Sequence, residues 1–157
     1  MKILSLWQPW ASLLVGGAKM IETRSWSTTY RGPIAVHASK YVERAAFAHV
    51  CYRQPFAEAL ARMGFNELTD IPLGSILGRV DLVDCLKMGN GVSRGWIDIR
   101  TPGDRRLTSW EREFGNYELD RFAWMTGPSR LVLPTPIPWR GTQGLRDLDP
   151  EVARRLA

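Results

Sequence analysis

The sequence predicts a single α+β domain, a small β-barrel flanked by helices. Its 157 residues fit one domain, because chains divide at roughly 100–200 residues per domain. Several short stretches have the composition of strands, two helical segments come early in the chain, and we find neither a repeat nor a linker. Apolar residues make up 45% of the chain and charged residues 24%, which is typical of a globular protein.

The first forty residues predict a strand, a helix and two further strands. Residues 3–6 have the composition of a strand. Pro9 then suits the first turn of a helix, where its missing N–H costs nothing. Gly16 and Gly17 end that helix, since glycine readily adopts the left-handed cap conformation. Residues 21–26 and 33–39 predict the next strands.

The middle of the chain predicts helices, a long strand and an insertion. Residues 42–63 have a helical composition, and Pro55 should divide or kink them. Residues 75–86 are the strongest strand pattern. Residues 87–106 contain four glycines and a proline, which predicts an irregular insertion. Thr108 should cap a short helix, with the glutamate three residues later completing a capping box.

The C-terminal segment predicts two short strands and a last helix. Residues 121–125 and 130–133 are the strand patterns, and three prolines at 134–138 keep the chain extended after them. Residues 150–156 predict a peripheral helix. The whole chain, residues 1–157, is therefore expected to form one domain.

Positive charge is concentrated in the first half of the sequence. The net charge is +5, and residues 1–65 carry all of this excess, whereas the remainder carries Lys/Arg and Asp/Glu in equal numbers. Such asymmetry favours an anionic partner, above all nucleic acid; a merely soluble basic surface is the alternative. The seven tryptophans could stack on bases, although core packing accounts for most tryptophans.

Several functional classes are not supported by the sequence. No apolar run approaches the roughly 20 residues of a membrane span, and the N-terminus lacks a cleavage-site pattern, so we expect a cytoplasmic protein with no membrane partner. Cys51 and Cys85 form no Cys-x-x-Cys motif, so neither a disulfide framework nor a zinc site is predicted. Phosphate loops, dinucleotide fingerprints and metal-ligand spacings are absent from the sequence, and no cofactor is expected.

The stretch GGAKMIETRSW crowds Lys19, Glu22 and Arg24 together after the first helix. Glu22 and Arg24 share a face of the predicted strand, where an arginine–carboxylate pair fixes geometry well. Lys19 lies beside the glycine turn and is expected to be free to swing toward the same site. The alternative is a structural salt bridge beside a solvated lysine.

Two other polar groups lie on predicted strands. His37, Ser39 and Lys40 close the strand 33–39, with His37 and Ser39 on one face. Arg79 and Asp81 share a face of the strongest strand, where Asp81 could serve as a general base. Packing of the histidine and mutual pairing of Arg79 with Asp81 are the structural alternatives.

Two aromatic segments complete the candidate residues. The segment WQPW brings Trp7 and Gln8 before the first helix, and WRGTQG brings Trp139 and Gln143 near the end of the chain. Glutamine can hydrogen-bond a base edge and tryptophan can stack on a base. Trp10 lies on the apolar stripe of the helix and is expected in the core.

Three segments together resemble a known family. They are LSLWQPWASLLVGGAKMIETRSWSTTYRG, LGSILGRVDLVDC and PIPWRGTQGL, and they resemble the ASCH (activating signal cointegrator homology) domains, which belong to the PUA-like group of RNA-associated β-barrels. The resemblance covers residues 3–148. It implies a PUA-like barrel with a cleft where the first helix faces the barrel, RNA or other nucleic acid as the partner, and Lys19, Glu22 and Arg24 lining that cleft.

The resemblance also implies two enzymatic alternatives. One branch of the family hydrolyses acetylated cytidine with a lysine, a threonine three residues later and a distant glutamate; here Lys19 matches, Glu22 replaces the threonine, and Asp81 could stand in for the glutamate. Another member is a metal-assisted ribonuclease, for which Lys19 would stabilise the developing charge, His37 or Asp81 would move protons, and a divalent metal could take part.

We therefore predict an RNA-binding domain, with ribonuclease and nucleoside amidohydrolase as alternatives. The residues predicted to contact nucleic acid are Lys19, Glu22, Arg24, Trp7, Gln8, Ser39, Lys40, Arg79, Trp139 and Gln143. If the protein is an enzyme, the predicted catalytic residues are Lys19, Asp81 and His37, and no residue is predicted to bind a metal. Replacing Lys19 with alanine is expected to weaken binding with little effect on the melting temperature.

Overall fold

The computed structural model describes residues 1–89 and 107–157. Six strands and five helices are found in these two stretches. The strands are β1 (Lys2–Leu6), β2 (Ile21–Arg24), β3 (Gly32–Ala38), β4 (Ser75–Lys87), β5 (Phe122–Pro138) and β6 (Leu145–Asp147). The helices are α1 (Trp10–Gly16), α2 (Arg44–Tyr52), α3 (Phe56–Arg62), α4 (Ser109–Phe114) and α5 (Pro150–Arg155).

All six strands form one mixed sheet in the order β2-β5-β4-β3-β1-β6. β1 and β3 are parallel, and every other neighbouring pair is antiparallel. The sheet curls into a half-barrel, with β2 and β6 at its two ends. The predicted α+β class, single domain and barrel-like sheet with flanking helices are confirmed.

The two faces of the sheet are packed by alternate residues of the same strands. Leu4, Val36, Val80 and Trp124 face the interior and pack against α1. Their neighbours Ile3 and Ala35 face outward, and with Ile76 and Ile137 they pack against Leu156 at the end of α5. Side chains on a strand point alternately to its two faces. These buried residues therefore show which polar residues of the same strands face the interior and which face outward.

The end of α1 delivers the chain into β2. Gly17 has the left-handed conformation that ends a helix, with φ of 82°, and its N–H donates to Leu14 O. Arg130 Nη1 donates to the same carbonyl at 3.3 Å. A Cβ on Gly17 would lie 2.6 Å from that Nη1, the end of a flexible side chain, so the left-handed conformation is what favours glycine here. The Lys19 N–H then donates to Leu13 O at 3.0 Å, which turns the lysine inward.

Most predicted elements are present, with differences in the second half. Pro55 separates α2 from α3 as predicted. The two short strands expected at 121–125 and 130–133 are one strand, β5, because register shifts in its pairing with β4 let a long strand bend. Strand β6 has no counterpart among the predicted strands. Lys87 still belongs to β4, and the rest of the predicted insertion lies largely outside the described residues.

The cap predicted for α4 is confirmed only in part. Thr108 Oγ1 accepts from the Glu111 N–H at 3.0 Å, but the Glu111 side chain turns toward β2 instead of completing a capping box. Asp149 caps α5, which covers the outer face of the sheet. Among the helices in residues 1–89 and 107–157, none is long and apolar enough to span a membrane.

Candidate functional site

A cleft of about 500 Å³ opens between the end of β1, strand β2 and the segment after α4. The side chains that bound it are aromatic, charged and amide-bearing. They are Trp7, Trp10, Glu22, Arg24, Glu113, Phe114, Asn116 and Arg121, with Ser5, Leu6, Thr23 and Gly115 completing the walls. This concave site lies between β1, β2 and the segment after α4, and Trp10 is the residue of α1 in its wall.

Glu22 and Arg24 form the polar floor of the cleft. Glu22 lies opposite Trp124 in the β2–β5 register, so both side chains point to the interior face. Arg24 Nε lies 3.2 Å from Glu22 Oε1, and Arg24 Nη2 donates to Ser5 O at 3.1 Å. Arg24 therefore bridges β2 to β1, two strands that are not neighbours in the sheet. Their predicted placement on one face is what the structure shows.

Lys19 lies behind this floor rather than at the cleft mouth. Its side chain is buried, with 0% of the residue exposed. Its ammonium donates to Ile21 O and, at 2.9 Å, to Phe114 O. The prediction that Lys19 swings freely toward the site is wrong, because α4 covers it. Burial lowers the pKa of Lys19, and the nearby carboxylates partly oppose that shift.

Lys19 is held between two carboxylates. Its Nζ is 3.7 Å from Glu22 Oε2 and 3.9 Å from Glu111 Oε1. Glu111 also accepts from the backbone N–H groups of Met20, at 2.7 Å, and Ile21, at 3.1 Å. Buried charges persist when they are paired and hydrogen-bonded, and Lys19 thereby ties α4 to β2 and supports Glu22 from behind.

Tyr117 completes the buried network. Its hydroxyl donates to Glu111 Oε1 at 3.1 Å. Burial, together with the negative charge of Glu111, strongly raises the pKa of Tyr117. The phenol therefore stays protonated and remains a donor to the carboxylate.

His37 is a packing residue on the outer face of the sheet, not a proton carrier in the cleft. It is 2% exposed. Its Nε2 lies 3.1 Å from Trp139 O and its Nδ1 3.0 Å from Ser5 Oγ. A carbonyl only accepts, so Nε2 carries the proton and Nδ1 accepts from the serine. Burial lowers the pKa of His37. Both nitrogens are engaged within the protein and His37 does not line the cleft, so the structure does not bring it to the predicted site.

Arg79 and Asp81 also lie on the face opposite to the cleft. Val80 and Leu82 both pack in the interior, so the alternating residues Arg79 and Asp81 point outward. Their side chains pair with each other, with Arg79 Nη1 3.0 Å from Asp81 Oδ1. Asp81 therefore does not meet Lys19, and the predicted base and nucleic-acid contact are not brought to the site.

Gln8 is a structural residue as well. It is 2% exposed, and its amide nitrogen donates to Ser12 Oγ at 2.8 Å and to Pro72 O at 2.7 Å. Its amide oxygen accepts from the Ser12 N–H at 3.0 Å. Its amide is therefore engaged in fixing the start of α1, and Gln8 is not among the residues that line the cleft.

The remaining predicted residues lie away from the cleft floor. Trp139 is half-buried against the outer core, and Gln143 is exposed in the loop before β6. Ser39 Oγ accepts from the Tyr41 N–H at 3.2 Å, and Lys40 is exposed beside it. None of the four lines the cleft.

Several residues of the cleft could not be predicted from the sequence. Trp10, expected in the core, is half-buried and lines the cleft. Arg121 donates from Nε to Asn116 O at 3.2 Å and from Nη2 to Thr23 O at 3.3 Å. Only the pairing of β2 with β5 brings this segment to the site, and no local pattern indicates it.

The described residues contain no cluster of three or more histidine, cysteine or carboxylate side chains suited to a metal ion. Cys51 and Cys85 are free thiols.

A family model for the ASCH domain matches residues 4–122. The chain belongs to the ASCH domain family. ASCH domains are generally linked to RNA binding. The resemblance inferred from the sequence is thus confirmed.

Two relatives share sequence with this chain, and two solved structures share its fold. Activating signal cointegrator 1 from Mus musculus is 42% identical over 83 residues, and its Homo sapiens counterpart is 41% identical over the same length. Each match covers 53% of this chain and 14% of the relative. The crystal structure of ASCH from Zymomonas mobilis covers 99% of this chain and 92% of its own, with a TM-score of 0.54 and 15% identity. A point mutant of that protein gives a TM-score of 0.51. This chain therefore shares the fold of these ASCH structures.

Proposed function

We propose that this ASCH domain binds single-stranded RNA and accommodates one unstacked base in the cleft. The observation that carries the proposal is the Arg24–Glu22 pair on the floor of a cleft with tryptophan in its wall. The cleft volume of about 500 Å³ is in the range of small-molecule sites, roughly 300–1,000 Å³. Bases splayed from a single strand are commonly held by stacking and edge hydrogen bonds.

The floor offers a base both a donor and an acceptor. Glu22 accepts only, and a carboxylate suits an exocyclic amine such as that of cytosine. Arg24 supplies N–H donors for a base carbonyl or a phosphate; its side chain is one-quarter exposed. Trp7 presents a largely exposed ring for stacking.

Lys19 serves this site as a positioning residue. Its ammonium faces Glu22 Oε2 from the buried side at 3.7 Å, which fixes the position of the carboxylate. Lys19 would therefore act on binding through Glu22 and not by contact with RNA.

Binding is favoured over the two enzymatic alternatives. A ribonuclease or a nucleoside amidohydrolase that uses Lys19 needs the Lys19 Nζ at the substrate. Here Nζ is buried and donates to two backbone carbonyls. His37 and Asp81, the other predicted proton carriers, lie on the outer face. The cleft itself has the Arg24–Glu22 pair and the tryptophan wall with which it would recognise a base.

The test is a fluorescence-anisotropy titration of a labelled single-stranded RNA with wild type, Arg24→Gln and Arg79→Gln. Arg79 is a matched control, since its side chain is 22% exposed against 25% for Arg24 and each pairs with a carboxylate. Charged hydrogen bonds are worth about 1.5–3 kcal/mol, so Arg24→Gln should weaken binding roughly 10- to 100-fold. Arg79→Gln should bind like wild type.

The same samples, run on a denaturing gel with and without EDTA, report cleavage. Intact RNA bound in an Arg24-dependent and salt-sensitive manner supports the proposal. Equal losses for the two arginine variants, or no binding at all, would contradict it. Shortened RNA in the wild-type lane would favour the ribonuclease, and turnover of an acetylated cytidine without RNA binding would favour the amidohydrolase.

A further inference from the structure

An apolar groove of about 300 Å³ adjoins the cleft. Its lining includes Trp7, Trp10, Tyr41, Val42, Phe47 and Val50. Trp7 and Trp10 also line the cleft, so the two concavities share one aromatic wall. A ligand that extends past this wall would pass directly from the cleft into the groove.

Two aromatic rings at the groove are left largely in solvent. Trp7 is 65% exposed and Tyr41 is 69% exposed. Large apolar rings are usually buried or engaged in recognition. Both rings line the groove, and exposed aromatic rings are surfaces on which the bases of a single strand stack.

The unneutralised positive charge of the first half of the chain lies beside this groove. Six of the eight cations in residues 1–65 have a carboxylate within 4.0 Å: Lys2, Lys19, Arg24, Arg31, Arg53 and Arg62. Lys40 and Arg44 have no such partner in the described part of the chain, and both are exposed. They directly flank the segment from Tyr41 to Glu43 that lines the groove.

The one acid of this segment is committed to the backbone. Glu43 accepts from the N–H groups of Ala45, at 3.1 Å, and Ala46, at 2.7 Å, at the start of α2. Its carboxylate thereby fixes the helix end and lies in no ion pair with Lys40 or Arg44, and residues 40–44 keep a net charge of +1 next to an aromatic surface. An apolar ring carrying negative charge is the ligand that fits both features.

We propose that the groove binds a second base of the same RNA strand, the neighbour of the base in the cleft. This inference rests on the proposed function and deepens it. Trp7 separates the two bases, Tyr41 stacks on the second, and Lys40 and Arg44 contact the flanking phosphates. The site thus reads a dinucleotide step and not a single base.

The first test compares cytidine 5′-monophosphate with the dinucleotide CpC as competitors of the labelled RNA. Stacking on an aromatic side chain contributes enough to change affinity about 5- to 100-fold per base. CpC should outcompete the mononucleotide by that factor with wild type, and Tyr41→Ala should abolish the advantage. Tyr52→Ala is the control, because Tyr52 is an exposed tyrosine of the neighbouring helix α2, is 64% exposed and lies outside the groove.

The second test removes the two cations that flank the groove. The double variant Lys40→Gln/Arg44→Gln should reduce the slope of log affinity against log salt by about 1.4, from roughly 0.7 per phosphate contact on a single strand. The control Arg154→Gln/Arg155→Gln removes the same charge from α5, on the outer side of the sheet, and should leave the slope unchanged.

The outcomes separate this inference from the proposed function. RNA binding that depends on Arg24 but is equal in the Tyr41 and Tyr52 variants would overturn the second-base site alone. No RNA binding by wild type would overturn both. A wild-type dimer that Tyr41→Ala, and not Tyr52→Ala, converts to monomer in analytical ultracentrifugation would assign the groove to a second copy and overturn the inference as well.

Discussion

Replacing Lys19 with methionine should strongly destabilise the protein. Methionine keeps the apolar stem but removes the charge, and it leaves the buried Glu22 and Glu111 without the cation that lies 3.7 and 3.9 Å from them. Two buried carbonyls also lose a donor. Breaking a buried ion pair from one side costs about 3–5 kcal/mol. At roughly 2–4 °C per kcal/mol for a chain of this size, the melting temperature should fall by about 6–20 °C.

The matched control for this variant is Lys87→Met. Lys87 Nζ lies 2.8 Å from Asp120 Oδ1, but the two side chains are 62% and 81% exposed. Exposed pairs contribute about 0–1 kcal/mol, so the control should melt within a few degrees of wild type. Thermal and urea unfolding followed by tryptophan fluorescence measure both variants. Equal, small shifts in the melting temperature of the two variants would refute the burial of Lys19 and would favour the alternative that its side chain lies at the cleft mouth.

Two further predictions concern the sheet and its outer face. Burial lowers the pKa of His37 below its ordinary value of 6.5, so the folded state favours the neutral ring. The resulting stability is present above pH 6.5 and is lost as the pH falls toward the folded-state pKa, at up to about 1.4 kcal/mol per pH unit. Urea titrations at pH 7, 6 and 5 should show that the free energy of unfolding falls more steeply for wild type than for His37→Gln. Parallel falls for the two proteins would contradict this prediction. Gly78→Ala should lower the free energy of unfolding by more than about 3 kcal/mol or prevent folding, because φ is 156° and a Cβ would lie 1.9 Å from Leu131 O. A soluble variant with a wild-type urea midpoint would refute the close approach of β4 to β5 at this glycine.

The parts of the fold that depend on local pattern could be predicted from the sequence. The end of α1 at glycine, the division of α2 from α3 at Pro55 and the strand β4 follow from local propensities. Strand alternation alone places Glu22 and Arg24 on one face, and the structure pairs them.

The parts that depend on distant contacts could not be predicted. The sequence neighbours of Lys19 leave its side chain free, yet α4, about 90 residues away, covers it. The same distance hides the role of Glu111, whose spacing from Thr108 predicts a local cap although its carboxylate binds β2. Arg79 and Asp81 form the pair that their spacing allows, but the face they occupy is set by the packing of Val80 and Leu82.

The most direct test of the RNA site is photo-crosslinking to a short single strand containing 4-thiouridine, followed by mass spectrometry of tryptic peptides. The peptide spanning residues 3–19 contains Trp7 and Trp10, and the peptide spanning 113–121 contains Asn116 and ends at Arg121. Cross-links in these two peptides, reduced in Arg24→Gln, are the predicted result. Cross-links confined to α5 and the loop before β6, away from the cleft, would contradict the account.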